Sequence, residues 1–249
     1  MVRPIARLAW IAVILAVVAL AHGGKGSRDI ASTERSECKS SPASDGQVLV
    51  NTDFIAKYGV AKIWIVGKID QGAACDAIDV MRGLFQDART ILLSLNSPGG
   101  NVAAAMQIGE EVRKRGAWTM VDDDSACASA CPLILAAGVR RIAAEHRVGI
   151  HRPYFEPSMF ASLSREAASA KYEARSREVK AYLSRMGMPD ELFELMLRQP
   201  SDGVLWLDNF QLTRLGLEGN DPAYDEWVSA RKHAIPDDVI WPKNPAPSH

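Results

Sequence analysis

The sequence predicts an α/β protein built on a mostly parallel sheet. Three observations predict it. Short β-branched or aromatic runs recur along the chain, bounded by turn residues. Between them lie stretches with apolar residues three and four apart. The links are short, so the natural units are βαβ, and such units assemble into parallel sheets.

Taken in order, residues 22–45 are rich in Gly, Ser, Lys and Glu and are expected to form a flexible leader. The folded region is placed at 46–220. Ile63-Trp64-Ile65-Val66 is a first strand, stopped by Gly67. From Ala73 to Gln86, apolar residues at 74, 77, 78, 81, 84 and 85 give a helical repeat. Ile91 to Leu95 is a second, buried strand. Asn101 can cap a helix reaching Arg115, with basic residues 113–115 and Gly116 as C-terminal signals. Trp118 to Val121 is a third strand. Residues 127–138 read as a helix buried on nearly all sides, and Val148 to His151 as a strand. Residues 158–185 are expected to form a long, charged helix and 189–198 a shorter one. Asp208 to Leu215 supplies a last helical turn or two. The segment 221–249 holds five of the 13 prolines and is expected to be an irregular tail.

Composition limits the function. Of 249 residues, 47% are apolar and 24% charged, the balance of a globular domain, which excludes a disordered or collagen-like chain. Lys and Arg total 29 against 30 for Asp and Glu. No basic surplus exists to neutralise phosphates, so nucleic acid is not an expected partner. Outside residues 1–21 there is no apolar run of membrane-spanning length, which excludes a multi-span membrane protein. Residues 1–21 have the anatomy of a secretory signal peptide: Arg3 and Arg7, the apolar stretch Leu8 to Ala21, then Ala19-Leu20-Ala21. Export to an extracytoplasmic compartment is expected, with an uncleaved membrane anchor as the alternative. Four cysteines in an exported chain point to disulfides. Cys127 and Cys131, four apart, come within bridging range on one helical turn, which leaves Cys38 with Cys75. Buried free thiols are the alternative. Neither a metal site nor a cofactor is expected.

Three local features carry chemistry. Asn96-Ser97-Pro98-Gly99-Gly100 directly follows a buried strand, and adjacent glycines let backbone N–H groups face a cleft at the sheet's C-terminal edge. By itself this could be a simple tight turn. Ser129 sits among small residues before the apolar run Leu133 to Ala137, at the mouth of the expected buried helix, where free N–H groups stabilise an oxyanion. By itself Ser129 would be an N-cap. His151 alone among five histidines ends a buried strand. A base for Ser129 needs a His brought alongside by the fold.

Together these residues resemble the Clp protease proteolytic subunit, within the wider Clp-protease/crotonase superfamily. The likeness covers residues 61–217. It runs through Lys62 to Ile69, Leu95-Asn96-Ser97-Pro98-Gly99-Gly100, Ala128-Ser129, Leu135 to Gly138, Val148 to Pro153 and Leu207 to Leu217. The resemblance implies a ClpP/crotonase-like fold of repeated ββα and βαβ units. It implies Ser129 as nucleophile, His151 as general base, and the N–H groups of Gly100 and Ala130 as oxyanion hole. The family's pattern puts Val204 where the triad aspartate belongs. Asp202, two residues earlier, is the candidate third member, and Asp208 is better explained as a helix N-cap. A ring-forming homo-oligomer is implied, with the long helix at a subunit contact.

The reading is an exported serine peptidase acting on peptides or unfolded segments, with no ATP-driven unfoldase expected as partner. Three alternatives stand beside it. One keeps Ser129 with a lysine base, Lys171, as in signal peptide peptidases. One is a non-catalytic binding module, supported by Val204. The last is a crotonase-like acyl-CoA enzyme, which would need a CoA pool that an exported protein does not meet.

Overall fold

The computed structural model describes residues 44–84, 88–155, 158, 160–200 and 202–222. The chain divides into two compact units, 1–41 and 42–249, and every described residue belongs to the second. The signal segment 1–21, nearly all of the leader, Cys38 and the tail from 223 lie outside the described residues.

The first sheet opens with β1 (Gly46–Asn51), which pairs antiparallel with β2 (Val60–Gly67). The short helix α1 (Asp53–Tyr58) joins them. Then follow α2 (Gln71–Leu84), β3 (Thr90–Asn96), α3 (Val102–Arg115) and β4 (Trp118–Val121). β6 (Arg140–Ala143) and β9 (Gly219–Asn220) complete it, giving the order β1-β2-β3-β4-β6-β9. The four central strands are parallel and the two edges antiparallel. The fold is therefore mixed α/β with a mostly parallel sheet, as the alternation of strand and helix predicts.

The two faces of the sheet follow the strand period. Ile63, Ile65, Leu93 and Leu95 face Ala74, Ala77 and Met81 of α2 and Ala104, Ala105 and Ile108 of α3. Val60, Leu92, Trp118, Met120 and Ile142 form the opposite face, against Phe54 and Tyr58 of α1. A parallel sheet covered on both sides has to be apolar on both, which is why β3 shows no alternation.

The helix ends are set by the side chains the sequence supplies. Asn101 accepts the Ala104 N–H at 2.9 Å, and Gly116 closes α3 at φ 57°. Asp70 starts α2, its carboxylate accepting from Ala73 N–H, Asp45 N–H and the Ser44 hydroxyl. Partial burial pushes the Asp70 carboxyl up, but these bonds and one from Gly72 outweigh it and hold it below the usual range.

Two helices differ from expectation. The predicted 127–138 helix is a strand pair, a turn and a shorter helix: β5 (Cys127–Ala128), Ser129, then α4 (Cys131–Ala137). Cys127 and Ala128 are drawn into sheet pairing, Cys127 N–H donating to Arg147 O and Ala128 N–H to Ser97 O. The helix begins where Pro132, lacking an N–H, sits in the first turn. The long helix α5 (Arg165–Arg185) starts later than residue 158, because Ser164 provides the cap, accepting the Ala167 N–H at 3.2 Å.

β5 belongs to a second sheet, β5-β7-β8, with β7 (Val148–Ile150) central and β8 (Leu205–Trp206) antiparallel to it. Between β7 and β8 run α5 and α6 (Asp190–Arg198). After β8, Asp208 caps α7 (Asn209–Arg214) in a reciprocal capping box with Gln211, as the sequence indicates. The chain returns to the first sheet at β9, where Asp221 is held by two arginines. Arg113 Nη2 lies 2.6 Å and Arg141 Nη2 3.2 Å from its Oδ2.

Candidate active site

The site is built where three chain segments leave the sheets. Asn96, Ser97 and the two glycines end β3. Ser97 N–H donates to Ala126 O at 2.6 Å, Ala128 N–H to Ser97 O at 3.0 Å, and Ala126 N–H to Asn96 Oδ1 at 3.1 Å. These bonds zip the glycine turn to the segment that carries Ser129. On its other side β5 runs parallel to β7, Ala128 beside Gly149, and Ser129 N–H donates to Gly149 O at 3.1 Å. His151 follows directly from β7. One parallel pairing therefore brings a serine and a histidine distant in sequence to the same edge.

Ser129 is half-buried and has φ 61°. A non-glycine residue in the left-handed region is uncommon and costs free energy that the surroundings must offset. Here the constraint comes from the hydrogen bonds on either side of it. Cys127 and Cys131 flank the turn with Cα atoms 5.2 Å apart, within the span of a disulfide. The turn hands the chain from strand to helix at one residue, and Ser129 stands at that corner.

Gly99 and Gly100 are required as glycines. They have φ 96° and 145°. A Cβ on Gly99 would stand 2.6 Å from both Ala128 O and Ser129 Cβ, and 2.8 Å from Ala130 N. A Cβ on Gly100 would collide with the Ile69 carbonyl. The glycine turn thus lies directly against the serine corner. The N–H groups of Gly100 and Ala130 meet no acceptor among the described residues.

Ser129 and His151 line one small cavity, with Ala130, Leu133, Pro153, Tyr154 and Met196 among its walls. Its volume is about 10 Å³. No hydrogen bond joins Ser129 Oγ to His151 among the described residues. Such bonds are often long in a resting site and tighten around substrate. The Nδ1 edge of the ring is fixed instead: His151 Nδ1 lies 2.7 Å from the Arg152 carbonyl oxygen. A second cavity of about 140 Å³ adjoins, lined by Gly100, Met106, Phe155 and others, with Val102 and Tyr154 shared between the two.

A family model described as Clp protease matches residues 50–203. The chain belongs to the Clp protease family. No curated protein matches it. At family level this Clp protease relative stands among the serine peptidases.

Within this Clp protease domain the sequence-predicted residues are placed unequally. Ser129, His151, Gly100 and Ala130 come to one edge. Asp202 does not reach His151: it is exposed in the turn before β8 and makes no hydrogen bond or ion pair among the described residues. The reason is register. β8 pairs Leu205 with Ile150 and Trp206 with Gly149, and continuing that pairing sets Val204 opposite His151 and Asp202 two residues beyond. Lys171, on α5, lies near the Phe160 ring and is not part of the Ser129 cavity wall. Cys75 is on α2, and Cys38 lies outside the described residues. Sequence reasoning missed the partner of His151 Nδ1, since a main-chain carbonyl carries no sequence signal. It also gave no role to Tyr154, three residues after His151 and in the wall of the same cavity.

Proposed function

We propose that this chain is an exported serine peptidase that cleaves peptides or unfolded segments. One observation carries the reading: a half-buried serine with φ 61° shares a cavity with a buried histidine and stands beside two N–H groups that meet no acceptor among the described residues. In the proposed reaction Ser129 Oγ attacks the scissile carbonyl carbon as His151 Nε2 takes the hydroxyl proton. The oxyanion forms against Gly100 and Ala130 N–H, each such donor contributing roughly 3 kcal/mol. Collapse breaks the C–N bond, and His151 returns the proton to the leaving amine. Water, activated by the same imidazole, then releases the acyl group from Ser129.

Export is supported by the signal-peptide anatomy of residues 1–21 and by two cysteines set to bridge the nucleophile turn in an oxidising compartment. A Cys127–Cys131 disulfide would brace Ser129 from both sides. Assembly is supported by family membership and by α5, whose outer face mixes Arg175–Glu178 and Arg177–Glu173 pairs. An unfoldase partner has no place in this reading, because peptides enter unaided.

A binding module is the second reading, favoured by the apolar Val204 opposite His151. Turnover of unstructured peptides by the oxidised full chain tests between them. Activity lost in both Ser129→Ala and His151→Ala supports the peptidase. Peptides that bind the wild type without being cut support the binding module.

A further inference from the structure

We infer that Arg152 is the positioning residue for His151, its main-chain carbonyl standing where a triad carboxylate would. The inference rests on the Ser129–His151 reading for its catalytic meaning. A carbonyl oxygen only accepts, so the 2.7 Å contact specifies a proton on His151 Nδ1. The neutral ring then presents the Nε2 lone pair, the form a general base for serine needs. The contact thus fixes both tautomer and ring orientation.

The carbonyl is itself held. Arg152 Nε and Nη2 both donate to Leu197 O, at 3.0 and 2.8 Å. Leu197 is in the last turn of α6, where carbonyls lack intrahelical partners and the helix dipole is negative. A guanidinium is the natural ligand for that end. On the other side, the Tyr172 hydroxyl donates to Pro153 O at 3.3 Å, and Pro153 is buried with its φ fixed by the ring. Residue 152 is therefore clamped between α6 and α5. Met196, next to Leu197, lines the Ser129 cavity, so the clamp and the site share one helix.

No carboxylate competes for the role among the described residues. Val204 takes the register position opposite His151, and Asp202 is exposed without a partner. A neutral carbonyl orients the ring as a carboxylate does but stabilises the imidazolium less. The arrangement keeps the correct tautomer and gives up part of the charge stabilisation.

The test uses the oxidised full chain with ¹⁵N-labelled histidine, as wild type, Arg152→Ala, Arg152→Lys and Asp202→Asn. Long-range ¹H–¹⁵N spectra read the His151 tautomer without turnover, and kcat and KM are measured in parallel. The wild type should show Nδ1–H. Arg152→Ala should mix the tautomers and lower kcat about tenfold, with KM little changed, as expected for a lost charged hydrogen bond. Arg152→Lys, still able to donate once to Leu197 O, should recover much of both. Asp202→Asn should change neither. An Nε2–H tautomer in the wild type, or an Arg152→Ala protein with tautomer and kcat intact, overturns the inference. So does an Asp202→Asn protein that shifts the tautomer. A wild type with the Nδ1–H tautomer, dependent on Arg152, that fails to react with a fluorophosphonate at Ser129 supports the clamp and removes the peptidase reading.

Discussion

Replacing Gly99 by Ala tests how tightly the glycine turn and the serine corner are coupled. The added Cβ meets Ala128 O and Ser129 Cβ at 2.6 Å and Ala130 N at 2.8 Å, all on the segment carrying the nucleophile. Two of these neighbours are main chain and the third is a Cβ that moves only with its backbone, so relief requires the two segments to part. The backbone itself, at φ 96°, adds a strain of about 1–3 kcal/mol for a residue with a side chain. A domain stable by about 5–15 kcal/mol absorbs that loss and stays folded. The oxyanion site does not survive the separation, and losing one donor lowers kcat about 10²–10³-fold. Peptide turnover gives kcat and KM, and urea unfolding of the same preparations gives stability. The control is Gly83→Ala, at a helical position where a Cβ meets nothing within 4 Å; it should be neutral or stabilising by up to about 1 kcal/mol. A folded Gly99→Ala protein with kcat within threefold of wild type would refute the reasoning.

Three further outcomes follow from the geometry. Asp221→Asn leaves Arg141, 2% exposed, without its countercharge and should destabilise the chain by about 3–5 kcal/mol in urea unfolding; burial already lowers the Arg141 guanidinium to about 10, with Asp221 opposing that shift. Because the Asp70 carboxyl is held below its ordinary value of about 3.9, its contribution is present above that value and is lost as pH falls through the lower folded one; unfolding measured from pH 5 to pH 2 should show a shallower loss in Asp70→Asn than in wild type. The cavity of about 10 Å³ beneath Ser129 holds no more than one water-sized group, whereas its neighbour measures about 140 Å³. Cleavage of a peptide library should therefore show a small side chain at one subsite beside the scissile bond and a bulky apolar one at the adjoining subsite, and Ala103→Phe, in the larger cavity's wall, should cut kcat/KM about tenfold for the bulky substrates alone.

The parallel sheet was legible because β2, β3 and β4 carry continuous apolar runs separated by helical periodicity. The ends of α3 and α7 were legible because Asn101, Gly116 and Asp208 are local signals whose chemistry acts within a few residues. β1 and β6 were not legible. β1 leaves Leu49 and Val50 exposed at an edge, and β6 begins with two arginines, so neither shows the apolar run of a central strand. The strand at Cys127 was concealed for a different reason: its pairing with β7 and the bridge from Ser97 to Cys127 are long-range, and they override a stretch that reads as helical. In the site, Gly99, Gly100, Ser129 and His151 are side-chain or glycine signals and could be read from the sequence. The setting of His151 could not. Asp202 is the acid nearest in sequence to Val204, but the antiparallel register of β8, continued by one residue, sets Val204 and not Asp202 opposite His151.

The central claim is that Ser129 is an activated nucleophile. Labelling the oxidised full chain with a fluorophosphonate, followed by intact mass and peptide mapping, tests it most directly. The account predicts one adduct per chain, on Ser129, absent from Ser129→Ala and greatly slowed in His151→Ala. A folded, oxidised protein that takes up no label, or takes it up at another residue, would contradict it.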